Sequence, residues 1–270
     1  MRIAVVAPSC TLKREASEKV LRIVAKRADC ELHVHPQCFL QDGHFAGSDQ
    51  ARLEAFLEVS GDASFDAVWF ARGGYGANRI AEAALVDLPS AAGGKIYMGY
   101  SDAGFLLGGL HRAGLEVAWG PMPQDALREG GESAVTRALD WLVRRDPNAL
   151  EPALDGCAMA FNLTVLSNLL GTSLEPDFEG QDLLIEDVGE QLYRIDRSMF
   201  HVTASPSIQK VRRIRLGRVS DVLPNDPEFA WSEADIVEQW CDRSGIQFGG
   251  RADIGHDALN KVVPFGRKNP

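Results

Sequence analysis

Phe70-Ala71-Arg72-Gly73-Gly74-Tyr75-Gly76 and Met98-Gly99-Tyr100-Ser101-Asp102 are the two stretches of the chain that decide its fold. Each follows a short strand-like run, at residues 67–70 in the first case and 95–97 in the second. Glycine accepts backbone conformations that other residues avoid, so each stretch can turn sharply and expose backbone N–H groups. The sequence therefore predicts two strand–turn–helix units in succession.

The same alternation of strand and helix extends on both sides of these turns. Residues 2–7 form an apolar run that ends at Pro8, residues 20–24 have helical spacing, and residues 30–35 again favour a strand. A further strand is predicted at 115–119. Such alternation is typical of α/β proteins, so we expect a mostly parallel N-terminal sheet flanked by helices.

The strand pattern lapses after Gly120-Pro121-Met122-Pro123, and residues 133–145 have the spacing of an amphipathic helix. We therefore place an N-terminal α/β domain at residues 1–125, a linker region at 126–150 and a smaller mixed α/β domain at 151–270. In the C-terminal domain we predict helices at 163–170, 193–202 and 233–241, and strands at 182–185 and 211–216.

Composition limits the partners that this chain can bind. The 270 residues are 45% hydrophobic and carry a formal net charge of -10, which argues against binding to nucleic acid or to an anionic membrane. The densest basic cluster is Arg212-Arg213-Ile214-Arg215, whose alternation predicts a strand with one solvated face. The expected partner is a small molecule.

The termini and the cysteines indicate the compartment. The apolar run at residues 3–7 is too short for a signal peptide, and no 18-residue apolar stretch follows, so we expect a soluble, cytoplasmic protein. The five cysteines are scattered without a Cys-x-x-Cys pair, which predicts reduced thiols. His33, His35 and Cys38 lack a fourth ligand, so neither a metal nor a cofactor is predicted.

Ser101 is the candidate nucleophile. It lies in Gly99-Tyr100-Ser101-Asp102-Ala103, at a predicted strand-to-helix corner of the kind that carries nucleophilic serines. The match is partial, because Ala103 stands where a second glycine is usual. The alternative is that Ser101 merely caps the following helix.

The second predicted domain contains the groups that a serine nucleophile requires. Residues 183–190 end with Glu186, Asp187 and Glu190 after an apolar run, and His256 lies in a glycine-flanked loop. A serine needs a base to take its proton, and the base needs a carboxylate to fix its tautomer. Each residue also has a structural interpretation, since acids at strand ends are often solvated and single histidines are often structural.

Taken together, these motifs resemble the LD-carboxypeptidase family of serine peptidases, and they follow the family order over most of the chain. They are Arg72-Gly73-Gly74-Tyr75-Gly76, Gly99-Tyr100-Ser101-Asp102, Gly120-Pro121-Met122, Asn162-Leu163-Thr164-Val165-Leu166, Glu186-Asp187, Tyr193-Arg194-Ile195-Asp196-Arg197 and Gly255-His256 with Asn260 and Pro264.

The resemblance implies a two-domain enzyme that hydrolyses an L,D peptide bond and releases terminal D-alanine from cytoplasmic tetrapeptides recycled from the cell wall. It implies Ser101 as nucleophile, Glu186 as the orienting acid and His256 as the base. It also implies an oxyanion hole built from the backbone N–H groups of Gly74 and Asp102, and it allows a homodimer.

Three other functions stay open on the sequence. The chain has Gly104 where the family usually has a threonine or a similar residue, and relatives with this triad also cleave other amides, including the aminoacyl-nucleotide linkage of a peptide antibiotic. A binding module whose glycine turns hold a small anion is the non-enzymatic alternative. A glutaminase-like amidotransferase is weaker, because it would require a cysteine in place of Ser101.

Overall fold

Two β-sheets with helices packed against them make up residues 1–266, the part of the chain that the computed structural model describes. The strands are β1 Arg2–Val6, β2 Glu31–Val34, β3 Ala67–Phe70, β4 Ile96–Gly99, β5 Glu116–Trp119, β6 Ala158–Asn162, β7 Asp182–Val188, β8 Arg213–Ser220, β9 Phe248–Arg251 and β10 Val263–Pro264. The helices are α1 Arg14–Val24, α2 Asp49–Gly61, α3 Ala77–Val86, α4 Gly104–Arg112, α5 Gly131–Arg144, α6 Leu163–Leu169, α7 Leu192–Ala204 and α8 Glu233–Ser244.

The first sheet has the strand order β10-β5-β4-β3-β1-β2, and its strands are parallel except for β10. Strand β3 shows why the sheet is buried on both faces. Val68 and Phe70 belong to one apolar cluster, whereas Ala67 and Trp69 belong to another. Because successive side chains of a strand point to opposite faces, helices must cover both sides of this sheet. The predicted α/β fold is confirmed.

The second sheet has the order β6-β7-β8-β9 and is parallel throughout. One apolar cluster includes Leu106 of α4 and Leu166 of α6, so the two halves of the chain share a continuous core. Helix α5 packs on the other face of the first sheet, where Val135 and Leu139 belong to the same cluster as Val5. The domain limits at 125 and 150 stay a prediction, and the last four positions of the predicted C-terminal domain lie outside the described residues.

Strand β10 brings the C-terminal part of the chain back to the first sheet. Val263 pairs with Trp119 and Pro264 with Ala118, antiparallel to β5. The sequence did not predict β6, β9 or β10. Strand β10 has only two residues, and β9 has the sequence Phe-Gly-Gly-Arg, so neither carries a local strand signal.

The basic cluster at residues 212–215 does not have the solvated face that its alternation predicted. Arg215 is buried and donates two 2.9 Å hydrogen bonds to the carboxylate of Glu151. Arg212 and Arg213 both bind the buried carboxylate of Asp182, at 2.6–3.0 Å. The strand itself is confirmed as part of β8, but the prediction of a solvated face was wrong, because the paired acids come from distant parts of the chain.

The cysteine prediction is confirmed, since all five cysteines are free and only Cys157 is partly exposed. Burial raises the pKa of the thiols of Cys38 and Cys241 to about 12. Such thiols are poor nucleophiles. Among the helices of residues 1–266, none combines the length and the apolar character needed to cross a membrane.

Candidate active site

Ser101 lies at the carboxyl edge of the first sheet, on the corner that the sequence predicted. Strand β4 ends at Gly99, and Ser101 begins a short 3-10 turn that leads into α4. Its φ is 59°, a left-handed conformation that is uncommon outside glycine and often marks functional sites. Helix α4 has Ala103 at its N-cap and no side-chain cap, so Ser101 is not the helix cap considered above.

The first glycine turn lies directly against Ser101. A Cβ atom added to Gly73 would lie 2.7 Å from the Ser101 hydroxyl oxygen. Gly74 has a φ of 105°, and a Cβ atom there would lie 2.3 Å from Sγ of Cys10. Neither position has room for a side chain, so the two predicted turns converge and their backbones can approach a ligand closely.

The Asp102 carboxylate ties the two turns together. Its Oδ2 atom accepts hydrogen bonds from the Ser9 hydroxyl at 2.5 Å and from the Ala77 backbone N–H at 2.8 Å. Ala77 is the first residue of α3, directly after the first glycine turn. Burial raises the pKa of Asp102 despite these two hydrogen bonds. The side chain of Asp102 thus joins the two turns and has a structural role.

Glu186 and His256 form a buried pair. Nδ1 of His256 lies 2.5 Å from Oε2 of Glu186, and the two side chains are 9% and 0% exposed. Burial opposes the charged form of His256, but the Glu186 charge and its hydrogen bond outweigh it and raise the pKa of the imidazole. Because an ionised carboxylate only accepts hydrogen bonds, Nδ1 carries a proton and Nε2 is left to act as a base.

The loop that carries His256 is anchored to the first sheet. The Asn260 side-chain oxygen accepts hydrogen bonds from the Trp119 indole N–H at 2.9 Å and from the Gly255 backbone N–H at 3.2 Å. Trp119 is the last residue of β5, next to the strand that ends at the serine corner. These contacts hold the histidine loop beside the nucleophile strand, and the Trp119–Asn260 bond alone joins residues that are 141 positions apart in sequence.

Asp187 follows Glu186 in the chain but has different partners. Its carboxylate accepts hydrogen bonds from the Asn162 side chain at 2.9 Å, from the Thr164 hydroxyl at 3.0 Å and from two backbone N–H groups. Burial, with the neighbouring Glu186 charge, raises the pKa of Asp187 to about 6. Glu190 is 24% exposed and lies 3.7 Å from Arg194. Of the three predicted acids, Glu186 is the one hydrogen-bonded to the histidine.

Two features join these groups into one site. The Tyr100 ring, directly before Ser101, packs against the His256 ring with centroids 4.9 Å apart. A cavity of about 600 Å³ has Ser101, Asp102, Gly74, Asp187 and Glu190 in its wall. Of the predicted site residues, Gly74, Ser101 and Asp102 lie in this wall, and the His256–Glu186 pair is brought next to the serine corner through the Tyr100 ring. Tyr100 and Asp125 behind it were missed, because neither has a local signal for a role in the site.

The family comparison covers both halves of the chain. Residues 3–120 match the LD-carboxypeptidase N-terminal domain, and residues 155–269 match the LD-carboxypeptidase C-terminal domain. A murein tetrapeptide carboxypeptidase of Pseudomonas aeruginosa is 28% identical, over 98% of this chain and 91% of that protein.

Solved structures share the fold. The crystal structure of a muramoyltetrapeptide carboxypeptidase from Oxalobacter formigenes superposes with a TM-score of 0.83 at 21% identity, over 98% of this chain and 93% of that one. The microcin C7 self immunity protein MccF, in complex with aspartyl sulfamoyl adenosine, gives a TM-score of 0.80 at 18% identity, over 98% and 91%. With both domain matches in chain order, the protein belongs to the LD-carboxypeptidase family and is an enzyme of the serine peptidase class.

Proposed function

We propose that Ser101, His256 and Glu186 form the catalytic set of an acyl-enzyme hydrolase. The observation that carries this proposal is the buried Glu186–His256 pair, 2.5 Å apart, packed against the residue that precedes the strained Ser101 corner. A non-enzymatic anion-binding module would have no use for an oriented histidine or for a serine in a left-handed conformation. The geometry therefore favours the hydrolase.

The mechanism follows from the role of each atom. Nε2 of His256 takes the proton of the Ser101 hydroxyl as its oxygen attacks the scissile carbonyl, and Glu186 stabilises the imidazolium that forms. The backbone N–H groups of Gly74 and Asp102 stabilise the negative charge on the tetrahedral intermediate. His256 then donates its proton to the leaving amine, and a water molecule hydrolyses the acyl-enzyme by the reverse sequence of transfers.

For the substrate we infer an L,D peptide bond whose cleavage releases terminal D-alanine from a murein tetrapeptide. The inference rests on the family membership and on the activity for which the Pseudomonas relative is named. The site for this bond has to place the D-residue's methyl group where an L-residue would carry its hydrogen. Inverting that residue displaces the carbonyl from Ser101, and an error of about 1 Å can cost about a hundredfold in rate.

An aminoacyl-nucleotide amide is the second candidate substrate. It is supported by the fold shared with MccF, which was solved with aspartyl sulfamoyl adenosine, and by the volume of the cavity beside Ser101, about 600 Å³. Both candidates place a carbonyl at Ser101, so they differ in the leaving group and not in the catalytic residues.

The deciding experiment compares three substrates with the purified full-length chain. They are an L,D-tetrapeptide ending in D-alanine, the same peptide ending in L-alanine, and an aminoacyl sulfamoyl nucleotide. We expect the D-alanine peptide to be hydrolysed about a hundredfold faster than its L-alanine counterpart. Equal release of both alanines would refute the L,D specificity, and cleavage of the nucleotide alone would select the second candidate.

We also infer that the enzyme acts in the cytoplasm in recycling of wall peptides and forms a homodimer, as the family resemblance implies. Cell fractionation tests the first inference and light scattering of the purified protein tests the second. A monomeric mass at micromolar concentration would refute the dimer without affecting the catalytic proposal.

A further inference from the structure

Tyr100 lies between the turn that carries Ser101 and the loop that carries His256. It lies between Gly99, the last residue of β4, and Ser101, and its side chain is buried. Its ring contacts the His256 ring at 4.9 Å with an interplanar angle of 57°, and the Trp119 ring at 5.3 Å with an angle of 67°. One side chain therefore touches the base while its backbone is bonded directly to the nucleophile.

The phenol of Tyr100 is hydrogen-bonded to the buried carboxylate of Asp125, which is paired with the partly exposed Arg128. The phenol donates a 2.8 Å hydrogen bond to Oδ1 of Asp125, which also accepts from Nε of Arg128 at 2.9 Å. The other oxygen of Asp125 accepts from the Met122 backbone N–H at 2.8 Å. Burial and the nearby Asp125 charge raise the pKa of Tyr100 well above its ordinary value, so the phenol stays neutral and keeps donating.

The Glu186 hydrogen bond alone does not fix the imidazole. A single bond from Nδ1 leaves the ring free to tilt and swing about the line that joins Nδ1 to Oε2, and such motion moves Nε2 towards or away from Ser101. The Tyr100 ring packed against the imidazole limits that motion. Because the phenol is anchored to Asp125, the limiting surface is itself fixed.

We propose that Tyr100 is a positioning residue that sets the distance between Ser101 and Nε2 of His256. The proposal rests on the hydrolase function inferred above. Ser101 and His256 are far apart in the sequence, so their separation in space depends on tertiary contacts. Tyr100 links them, because its backbone is bonded to Ser101 while its ring packs against His256, and the Asp125–Arg128 pair holds it in place.

Two substitutions of Tyr100 separate its ring from its hydroxyl. Tyr100→Phe keeps the ring and removes the hydroxyl, with its hydrogen bond to Asp125 and the 3.4 Å one that it accepts from Nη2 of Arg128. Asp125 still binds Arg128 and Met122. Tyr100→Leu removes the ring that faces His256. The matched control is Tyr97→Phe, because Tyr97 is also a buried tyrosine of the β4 segment whose hydroxyl donates to a backbone carbonyl, that of Ala92, at 3.3 Å.

The measurements are kcat and KM for the L,D-tetrapeptide, with circular dichroism and thermal melting to confirm folding. Tyr100→Leu should lower kcat about a hundredfold, as expected for a reacting group misplaced by about 1 Å, and change KM by less than about threefold. Tyr100→Phe should recover most of that loss, leaving a reduction of about tenfold or less. Tyr97→Phe should match the wild type.

The proposal is overturned if Tyr100→Leu keeps the wild-type kcat, if it equals Tyr100→Phe, or if only KM changes. Should Tyr100→Leu not fold, the rate at which a fluorophosphonate labels Ser101 in Tyr100→Phe decides: a slower rate supports the proposal and the wild-type rate refutes it. A wild-type chain that is neither labelled nor active would instead refute the hydrolase proposal itself.

Discussion

Strand β7 carries two consecutive carboxylates, Glu186 and Asp187. Their side chains point to opposite faces of the strand and have different hydrogen-bond partners. Glu186 bonds to one titratable partner, His256, at 2.5 Å. Asp187 accepts from fixed donors, chiefly Asn162 and Thr164 at the start of α6. A carboxylate bonded to a proton carrier can stabilise a charge that forms during a reaction, whereas one surrounded by fixed donors holds a structure together. Alternation along a strand separates the two roles.

The largest effect should come from removing the groups that act with Glu186. Ser101→Ala or His256→Ala should each lower kcat about a millionfold, and the double variant should lose little more, because the two residues act as a unit. The measurement is turnover of the L,D-tetrapeptide by the three variants.

The chain offers a matched control for this pair. Ser167 and His201 form a serine–histidine contact at 3.1 Å on the exposed surface, away from the proposed site. Ser167→Ala and His201→Ala should leave turnover within about twofold of the wild type, as is usual for surface substitutions. If the losses of kcat for the Ser101 and His256 variants were additive, or if the control variants lost as much turnover, Ser101 and His256 would not be the catalytic pair.

Glu186→Gln should have the next largest effect, a loss of up to about ten-thousandfold in kcat, because glutamine fixes the wrong histidine tautomer. The carboxylate also raises the pKa of His256. Without the carboxylate the pKa of His256 falls. The acid limb of the kcat/KM profile, where activity is lost because the base becomes protonated, should therefore move to lower pH. An acid limb that stays in place or moves to higher pH would show that His256 does not depend on Glu186.

Asp187→Asn should change kcat by less than about tenfold, because Asp187 does not bind the histidine. Its effect should appear in stability. The folded-state pKa of about 6 lies above the ordinary value of 3.8, so Asp187 contributes stability at low pH that is lost as the pH rises from about 4 through 6. In Asp187→Asn this component should be missing. Thermal melting of both proteins between those pH values tests it, and an unchanged pH dependence would contradict the account.

Among the three acids, Glu190 should give the smallest effect when it is replaced by glutamine. Glu190 is partly exposed and its ion pair with Arg194 is 3.7 Å long, and exposed pairs of this kind contribute at most about 1 kcal/mol. Turnover should therefore change by less than about fivefold. A much larger loss in kcat/KM would mean that the cavity wall at Glu190 binds the substrate.

Local sequence signals predicted the half of the site that depends on local geometry. Glycine-rich segments that directly follow strands favour sharp turns, so the corner at Ser101 and its place at the sheet edge could be predicted. The choice of Glu186 over Asp187 came only from the family resemblance, because alternation places the two on opposite faces without saying which face meets the histidine. Asn260, Tyr100 and Asp125 act through tertiary contacts that no local pattern encodes.

Ion pairs between residues far apart in the chain could not be predicted for the same reason. Arg215 binds Glu151, which lies 64 positions away in the sequence. A run of basic residues cannot by itself indicate that such a partner exists. Strand β10 is likewise a strand only because β5 is there to pair with it. Where an interaction joins residues far apart in the chain, the sequence gives the residue types but not their pairing.

The most direct test of the central claim is the rate at which a fluorophosphonate labels Ser101, followed by mass spectrometry, in the wild type, Glu186→Gln and Asp187→Asn. The rate depends on activation of the serine and on no assumption about the natural substrate. We expect Ser101 to be the labelled residue, at nearly the wild-type rate in Asp187→Asn and orders of magnitude more slowly in Glu186→Gln. Labelling that is slowed by Asp187→Asn but not by Glu186→Gln, or that occurs at a residue other than Ser101, would contradict the account.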